Sequence, residues 1–165
     1  MKIIILGMAR SGKDTMCLHL EEQYGLSWVA SSMFACRTFL FEQMRTEYGY
    51  ASVQECYDDR GSHRATWYEA IRDYNQQDRT RLGRGIFEAN DVYCGIRDDE
   101  EFYALKAQGA FSLAIWIDAS ARKPPEDSSS MTLSEKDADI TISNNGTEAE
   151  FIRRIEALFN SLKLN

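Results

Sequence analysis

Gly7-Met8-Ala9-Arg10-Ser11-Gly12-Lys13-Asp14-Thr15 is the stretch that decides the fold. Residues 2–6 before it form a short β-branched and aliphatic run, the pattern of a strand buried on both faces of a parallel sheet. After it, Met16, Cys17, Leu20 and Tyr24 recur with helical period until Gly25. A strand, a glycine-bounded turn, a lysine and a helix in that order make a phosphate-binding loop. The glycines let the backbone curl so that N–H groups point inward at phosphate oxygens, while the helix N-terminus and Lys13 add positive charge. Gly7, Ala9, Arg10, Ser11, Gly12, Lys13, Asp14 and Thr15 are therefore the candidate ATP contacts, with Lys13 on the outer phosphates. The position after the lysine usually carries a hydroxyl that holds Mg²⁺; here it is Asp14. A carboxylate ligates Mg²⁺ directly or through water, and it also suits the positive end of a helix; the metal role is preferred.

Outward from this loop, strands and helices alternate. Residues 26–31 read as a second strand, with Ser32 capping a helix through Phe34, Leu40 and Met44. Residues 66–77 read as a helix with Trp67, Ile71 and Tyr74 on one face, and a short helix follows through Leu82, Ile86 and Phe87. Residues 91–96 and 111–117 read as strands, and residues 98–108 as a helix whose first turn holds four acids, favourable at its positive end. Both prolines, Pro124 and Pro125, lie in the one long loop; at about residues 119–135 it is the candidate lid. Residues 139–142 read as a fifth strand, and Asn144-Asn145-Gly146-Thr147 turns into a last amphipathic helix. The alternation predicts an α/β fold with a mainly parallel sheet, residues 1–165 forming one domain.

Composition narrows the partners. The 165 residues carry a net charge of -7, a poor balance for coating long nucleic acid. The acid is unevenly spread: residues 1–97 hold 12 basic and 13 acidic side chains, residues 98–165 hold 7 and 13. The first part therefore retains room for a local pocket for small anions, and its cations are mostly arginines, which suit bidentate phosphate contact. The four cysteines form no C-x-x-C pair, and with only His19 and His63 a zinc site is not expected. The longest apolar run, residues 110–117, is far below the roughly 20 residues of a membrane span, and no secretory signal is visible. The expectation is a cytoplasmic protein with free thiols and no membrane partner.

The G-x-x-x-x-G-K-D-T form resembles the phosphate loop of the bacteriophage deoxynucleoside monophosphate kinases and, more loosely, of animal phosphomevalonate kinase. Three further segments are similar to the phage family: His63-Arg64-x-x-Trp67, the strand ending Gly95-Ile96-Arg97 before an acidic helix, and the closing Asn145-Gly146-Thr147 element. The resemblance implies a three-layer P-loop kinase fold, a five-stranded mainly parallel sheet flanked by helices. It implies transfer of the ATP γ-phosphoryl group to a (deoxy)nucleoside monophosphate, giving the diphosphate in phage nucleotide metabolism in the host cytoplasm, with Mg²⁺. Related enzymes are often dimers, so a homodimer is compatible with it. It also implies an acceptor-binding helical region at about residues 32–88, and a role for Asn145 and Gly146 at the ATP site.

Such chemistry needs no general base, because a phosphate oxygen is already ionised; catalysis is positioning and charge neutralisation. Lys13, Arg97 and Arg122 are the catalytic candidates, Arg97 at a strand end where ligands of open α/β sheets bind and Arg122 in the lid. Ser31, Ser32, Phe34, Arg37, His63, Arg64, Trp67 and Arg97 are the acceptor-site candidates. Trp67 stacks on a base or belongs to the core, and His63 donates to the acceptor or sits in an exposed loop. Arg72, Arg79, Arg81 and Arg84 read as solvated helix faces. Related kinases often carry an acid where Gly95 stands, so a second Mg²⁺ carboxylate falls to Asp14, Asp98 or Asp99; the glycine leaves room for a sugar or base. Two alternatives are another small phosphorylated acceptor of the phosphomevalonate kind, and a GTP-binding switch. For the switch, Asp58-x-x-Gly61 and Asn75-Gln76-Gln77-Asp78 distantly match the expected motifs but lie too close together.

Overall fold

The computed structural model describes residues 1–122 and 131–162. The middle of the candidate lid, residues 123–130, therefore lies outside the described residues. The elements are β1 (Ile3–Leu6), α1 (Lys13–Tyr24), β2 (Trp28–Ala30), α2 (Ser31–Ala35), α3 (Phe41–Tyr48), α4 (Val53–Asp58), α5 (Arg64–Tyr74), α6 (Arg81–Ala89), β3 (Val92–Cys94), α7 (Asp99–Ala107), β4 (Leu113–Asp118), β5 (Ile140–Ser143) and α8 (Glu148–Ser161).

The five strands form one sheet in the order β2-β3-β1-β4-β5, and every pairing is parallel. β1 lies at the centre, Ile3 in register with Val92 on one side and Leu113 on the other. That position explains its unbroken aliphatic run, since side chains of a central strand alternate between two covered faces. Ile3 and Ile5 pack with Met16, Leu20, Ile155 and Phe159 of α1 and α8. Ile4 and Leu6 pack with Leu82, Ile86, Phe102 and Leu105 of α6 and α7. The result is a three-layer arrangement of helices, sheet and helices.

A third apolar cluster lies apart from the sheet, built from Cys36, Leu40, Met44, Tyr50, Cys56 and Trp67. The expected Trp67, Ile71 and Tyr74 stripe divides here: Trp67 joins this cluster, while Ile71 and Tyr74 pack on the sheet's core. α5 thus bridges two cores. The stretch from Ser31 to Tyr48 runs through a π-helical turn, Cys36–Leu40, and starts after Ala30 without the expected Ser32 cap. α4 was not anticipated. Its start is Ser52, whose side chain accepts from the Glu55 N–H, the Ser-x-x-Glu signature of a helix N-terminus. At α7, Asp98 is the N-cap, and only part of the acidic first turn is a surface feature: Glu101 is 2% exposed.

All four cysteines are free and buried. Burial pushes the Cys17 thiol well up and Cys36 up to about 12, so both stay in the unreactive thiol form. Among the described residues no helix is long and apolar enough to cross a membrane.

Candidate functional site

β1 ends at the centre of the sheet, and the chain leaves it first toward β2 and β3, later toward β4 and β5. In open α/β sheets that switch point is where ligands bind, beyond the strands' carboxyl ends. The loop from Gly7 to Gly12 occupies it. Lys13, the first residue of α1, folds back so that its ammonium donates to the carbonyls of Gly7 (2.8 Å) and Met8 (2.6 Å). Gly12 has φ +105°, and a Cβ there would meet the Asn144 amide nitrogen at 2.3 Å. That amide donates to the Ser11 carbonyl at 2.8 Å, bracing the loop from the end of β5. The close approach requires glycine on both steric and conformational grounds.

The loop opens into a cleft of about 610 Å³. It is lined by Ala9, Arg10, Gly12, Lys13, Asp14 and Thr15 of the loop and α1, by Ser31 and Ser32, and by Arg60, Arg64, Trp67, Arg72 and Arg97. The fold thus brings together residues from α1, α2, α5 and the β3 end. Arg97 is fixed through its backbone, its carbonyl accepting from the Thr132 N–H at 3.1 Å. Gly95 has φ +87°, and a Cβ there would stand 3.7 Å from the Lys13 stem and 3.8 Å from the Ser31 hydroxyl oxygen. Ser31 in turn donates to the Gly95 carbonyl at 3.0 Å.

The remaining predicted residues stand elsewhere. Phe34 is wedged against Gly85 of α6, outside the cleft lining. Arg37 is exposed in the π-helical turn and does not line the cleft. His63 is neither a cleft donor nor a bare loop residue: it faces Asp59 at 3.4 Å and lies 3.9 Å from the Tyr48 ring. Asp59 also accepts from Tyr50 (2.5 Å) and Ser62 (2.6 Å), and these bonds hold its carboxyl below the usual range. Trp67 is buried in the third apolar cluster and also lines the cleft.

On the other side of the loop a smaller pocket of about 190 Å³ is lined by Arg10, Gly12, Thr15, Arg122 and Gly146. Arg122 Nε donates to the Asn144 carbonyl at 2.5 Å. Asn145 is a strut: it donates to Asp118 (2.6 Å) and accepts from the Ala121 N–H (2.9 Å). Hydrogen bonds from Ser120 and then Asn145 hold the Asp118 carboxyl below its ordinary range. Thr147 caps α8 in a capping box with Glu150.

Four cleft features escaped the sequence reading. Arg60 lies 3.9 Å over the Tyr57 ring and donates to the Tyr57 carbonyl at 2.8 Å. Arg72, read as a solvated face, lines the cleft; Arg79, Arg81 and Arg84 do not, being taken up by Glu100, the Tyr74 ring and Asp78. Cys94 donates from its thiol to Asp14 at 3.6 Å. Glu101, hidden among the acids of α7, accepts from the Tyr93 hydroxyl at 3.0 Å, and burial raises its carboxyl to about 8. The Ser-x-x-Glu pattern at Ser52 was the signal that marks the helix leading to Arg60. The other three carry no local signal.

For Mg²⁺, the donors fit a phosphate-borne ion. Among the described residues no group of three or more His, Cys, Asp or Glu forms a cage. Mg²⁺ is usually held by one or two carboxylates together with substrate phosphates and water. Asp14 beside Lys13 meets that need, and Asp98 lines the same cleft.

No family model matches the chain, and no curated protein matches it. Solved structures do. The shikimate kinase of Bacteroides thetaiotaomicron is 9% identical with a TM-score of 0.56, covering 98% of each chain. That of Acinetobacter baumannii, in complex with shikimate, is 15% identical with a TM-score of 0.53, over 99% of this chain and 95% of that one. That of Aquifex aeolicus is 16% identical with a TM-score of 0.51, over 100% and 99%. The likeness is one of fold: a five-stranded parallel sheet flanked by helices, as in the small-substrate P-loop kinases.

Proposed function

We propose that the protein transfers the γ-phosphoryl group of ATP to a (deoxy)nucleoside monophosphate, giving the diphosphate. One observation carries this reading: the phosphate loop lines the same cleft as Arg60, Arg64, Arg72 and Arg97. A donor triphosphate on the loop accounts for Lys13; four further guanidinium-bearing residues lining the same cleft suit a second phosphorylated ligand. Acceptor phosphate and donor phosphate are then held within one Arg-lined space, which lowers the barrier by positioning and by neutralising charge.

In this reading Lys13 leaves its carbonyl partners for the outer phosphates of the donor, and the loop N–H groups hold the inner ones. Arg97 neutralises the acceptor phosphate or the group in transfer, and Arg64 and Arg60 orient the acceptor. Trp67 and Tyr68 offer flat apolar surface to a base. Arg122, Thr15 and Gly146 border the donor side. Asp14 is the carboxylate that would hold Mg²⁺ with the donor phosphates; when bound, the ion supplies further neutralisation of the phosphate charge. Asn75 and Asp78, the residues that matched a guanine-reading motif, are engaged elsewhere: Asn75 is buried and accepts from the Leu82 N–H at 3.0 Å, and Asp78 accepts from Thr80 at 2.7 Å.

The test is a substrate panel with ATP and Mg²⁺. Each deoxynucleoside monophosphate, each ribonucleoside monophosphate, phosphomevalonate and shikimate is assayed for diphosphate or phosphoester product. Turnover of at least one nucleoside monophosphate is expected. Turnover confined to phosphomevalonate or to shikimate refutes the reading, as does GTP hydrolysis without any acceptor.

A further inference from the structure

The phosphate loop turns through Met8-Ala9-Arg10-Ser11, closed by a bond from the Ser11 N–H to the Met8 carbonyl at 3.3 Å. Arg10 holds the third place of that turn at φ +59°, the only non-glycine residue in the left-handed region among the described residues. A turn with a left-handed third residue ordinarily places glycine or asparagine there, because a Cβ crowds the following carbonyl oxygen. Arginine at this position therefore leaves the loop less stable than glycine would, and strain of this kind gathers at functional sites. Arg10 is exposed, and among the described residues its side chain takes part in no hydrogen bond or ion pair. It contributes no bond to the loop that would offset the strain.

Arg10 lines both the cleft of about 610 Å³ and the pocket of about 190 Å³ on the other side of the loop. Gly12 and Thr15 also line both, and Arg10 is the charged member of that shared set. In the proposed function the donor triphosphate lies on the loop and the acceptor phosphate lies in the cleft. We propose that Arg10 is a catalytic residue, an arginine that the phosphate loop itself supplies to the phosphoryl group in transfer, and not only a contact of the ATP phosphates. This deepens the proposed function and rests on it. In the step, an acceptor phosphate oxygen forms a bond to the γ-phosphorus while the bond from that phosphorus to the β–γ bridging oxygen breaks. The electron pair of the broken bond leaves with ADP, and no proton moves. Charge is spread over the oxygens of the group in transfer, and a planar guanidinium donates to two such oxygens at once. Lys13 gives up the Gly7 and Met8 carbonyls to reach the phosphates. Arg60 and Arg122 are likewise held by the carbonyls of Tyr57 and Asn144. Arg10 breaks no such bond.

The experiment replaces Arg10 with Gly and, separately, with Ala. Transfer from ATP to a nucleoside monophosphate is followed in single turnover, which reads the chemical step rather than product release. Both variants should slow transfer by about 10²-fold or more and leave the steady-state KM for ATP unmoved. Arg10→Gly should at the same time raise Tm by about 2 °C or more, because glycine relieves the left-handed strain. Activity lost while stability is gained marks a side chain kept for the chemistry. An unchanged transfer rate in both variants overturns the proposal. So does a raised KM for ATP with an unmoved rate, which makes Arg10 a donor contact alone. Loss in Arg10→Gly without loss in Arg10→Ala assigns the effect to loop flexibility, and the reverse assigns it to loop geometry; either overturns the proposal. A fall in Tm for Arg10→Gly gives the side chain a structural role and overturns it as well. If the unaltered protein turns over no nucleoside monophosphate, this proposal and the proposed function fall together. If it does and the variants match it, only the role of Arg10 falls.

Discussion

Replacing Glu101 with Gln should flatten the dependence of stability on pH. The carboxyl titrates at 4.5 when unperturbed and at about 8 in the folded protein, chiefly because it is buried. Between those values the folded state holds a proton that the unfolded state has lost, so stability falls as pH rises through the window. Each pH unit costs about 1.4 kcal/mol. From about pH 5.5 to about pH 8.5 the loss is therefore roughly 3 kcal/mol. The carboxyls held below their ordinary values, Asp59, Asp78, Asp91, Asp118, Asp137 and Glu150, act in the opposite sense. Their contribution is lost on acidification, below this range, and is present in both proteins. Urea unfolding of the unaltered chain and of Glu101→Gln at the two ends of the range isolates the effect. The unaltered chain should lose about 3 kcal/mol more than the variant, equivalent to about 6–12 °C in Tm for a domain of this size. Parallel profiles for the two proteins would refute the assignment of the slope to Glu101.

Gly12→Ala forces a Cβ against the Asn144 amide at a left-handed φ; backbone strain and the weakened Asn144–Ser11 bond together should cost about 2–3 kcal/mol, and denaturant unfolding within 1 kcal/mol of the parent, well under ~2 kcal/mol, would show that the loop gives way freely. Lys13→Ala should lower kcat by about 10²–10³-fold without changing the unfolding midpoint; retained turnover removes the phosphate-loop assignment. Arg97→Ala should lower kcat far more than it raises the KM for ATP, and an unchanged kcat makes Arg97 structural. Asp14→Asn should shift the Mg²⁺ titration to higher concentration, whereas an unmoved titration makes Asp14 a charge partner of the α1 N-terminus.

The fold was largely legible because its signals are local. A buried central strand leaves a run such as Ile3 to Leu6, and a phosphate loop needs Gly7, Gly12 and Lys13 within seven consecutive residues. Expected strands agree with β1 to β5 to within a few residues. The helical region was harder. α4 is short, and helices this short draw most of their stability from tertiary packing; here it packs through Cys56 and Trp67 into a cluster assembled from residues far apart in the chain.

The amino-acid order alone determined the phosphate loop, the α/β alternation and the arginine-rich first part, since each rests on neighbours within a strand, a turn or one helix. Tertiary structure alone decided which arginines share the cleft. Arg60 and Arg72 line it while Arg37 does not, because that placement depends on how α4 packs into the third cluster and how α5 bridges the two cores. It also decided what Glu101 is. In the sequence it is one of four successive acids, Asp98 to Glu101, at a helix start. Only the packing of Tyr93, Asn75 and Gly83 around it turns that surface charge into a buried group at the cleft, because desolvation is a property of the assembled environment and not of the residue type.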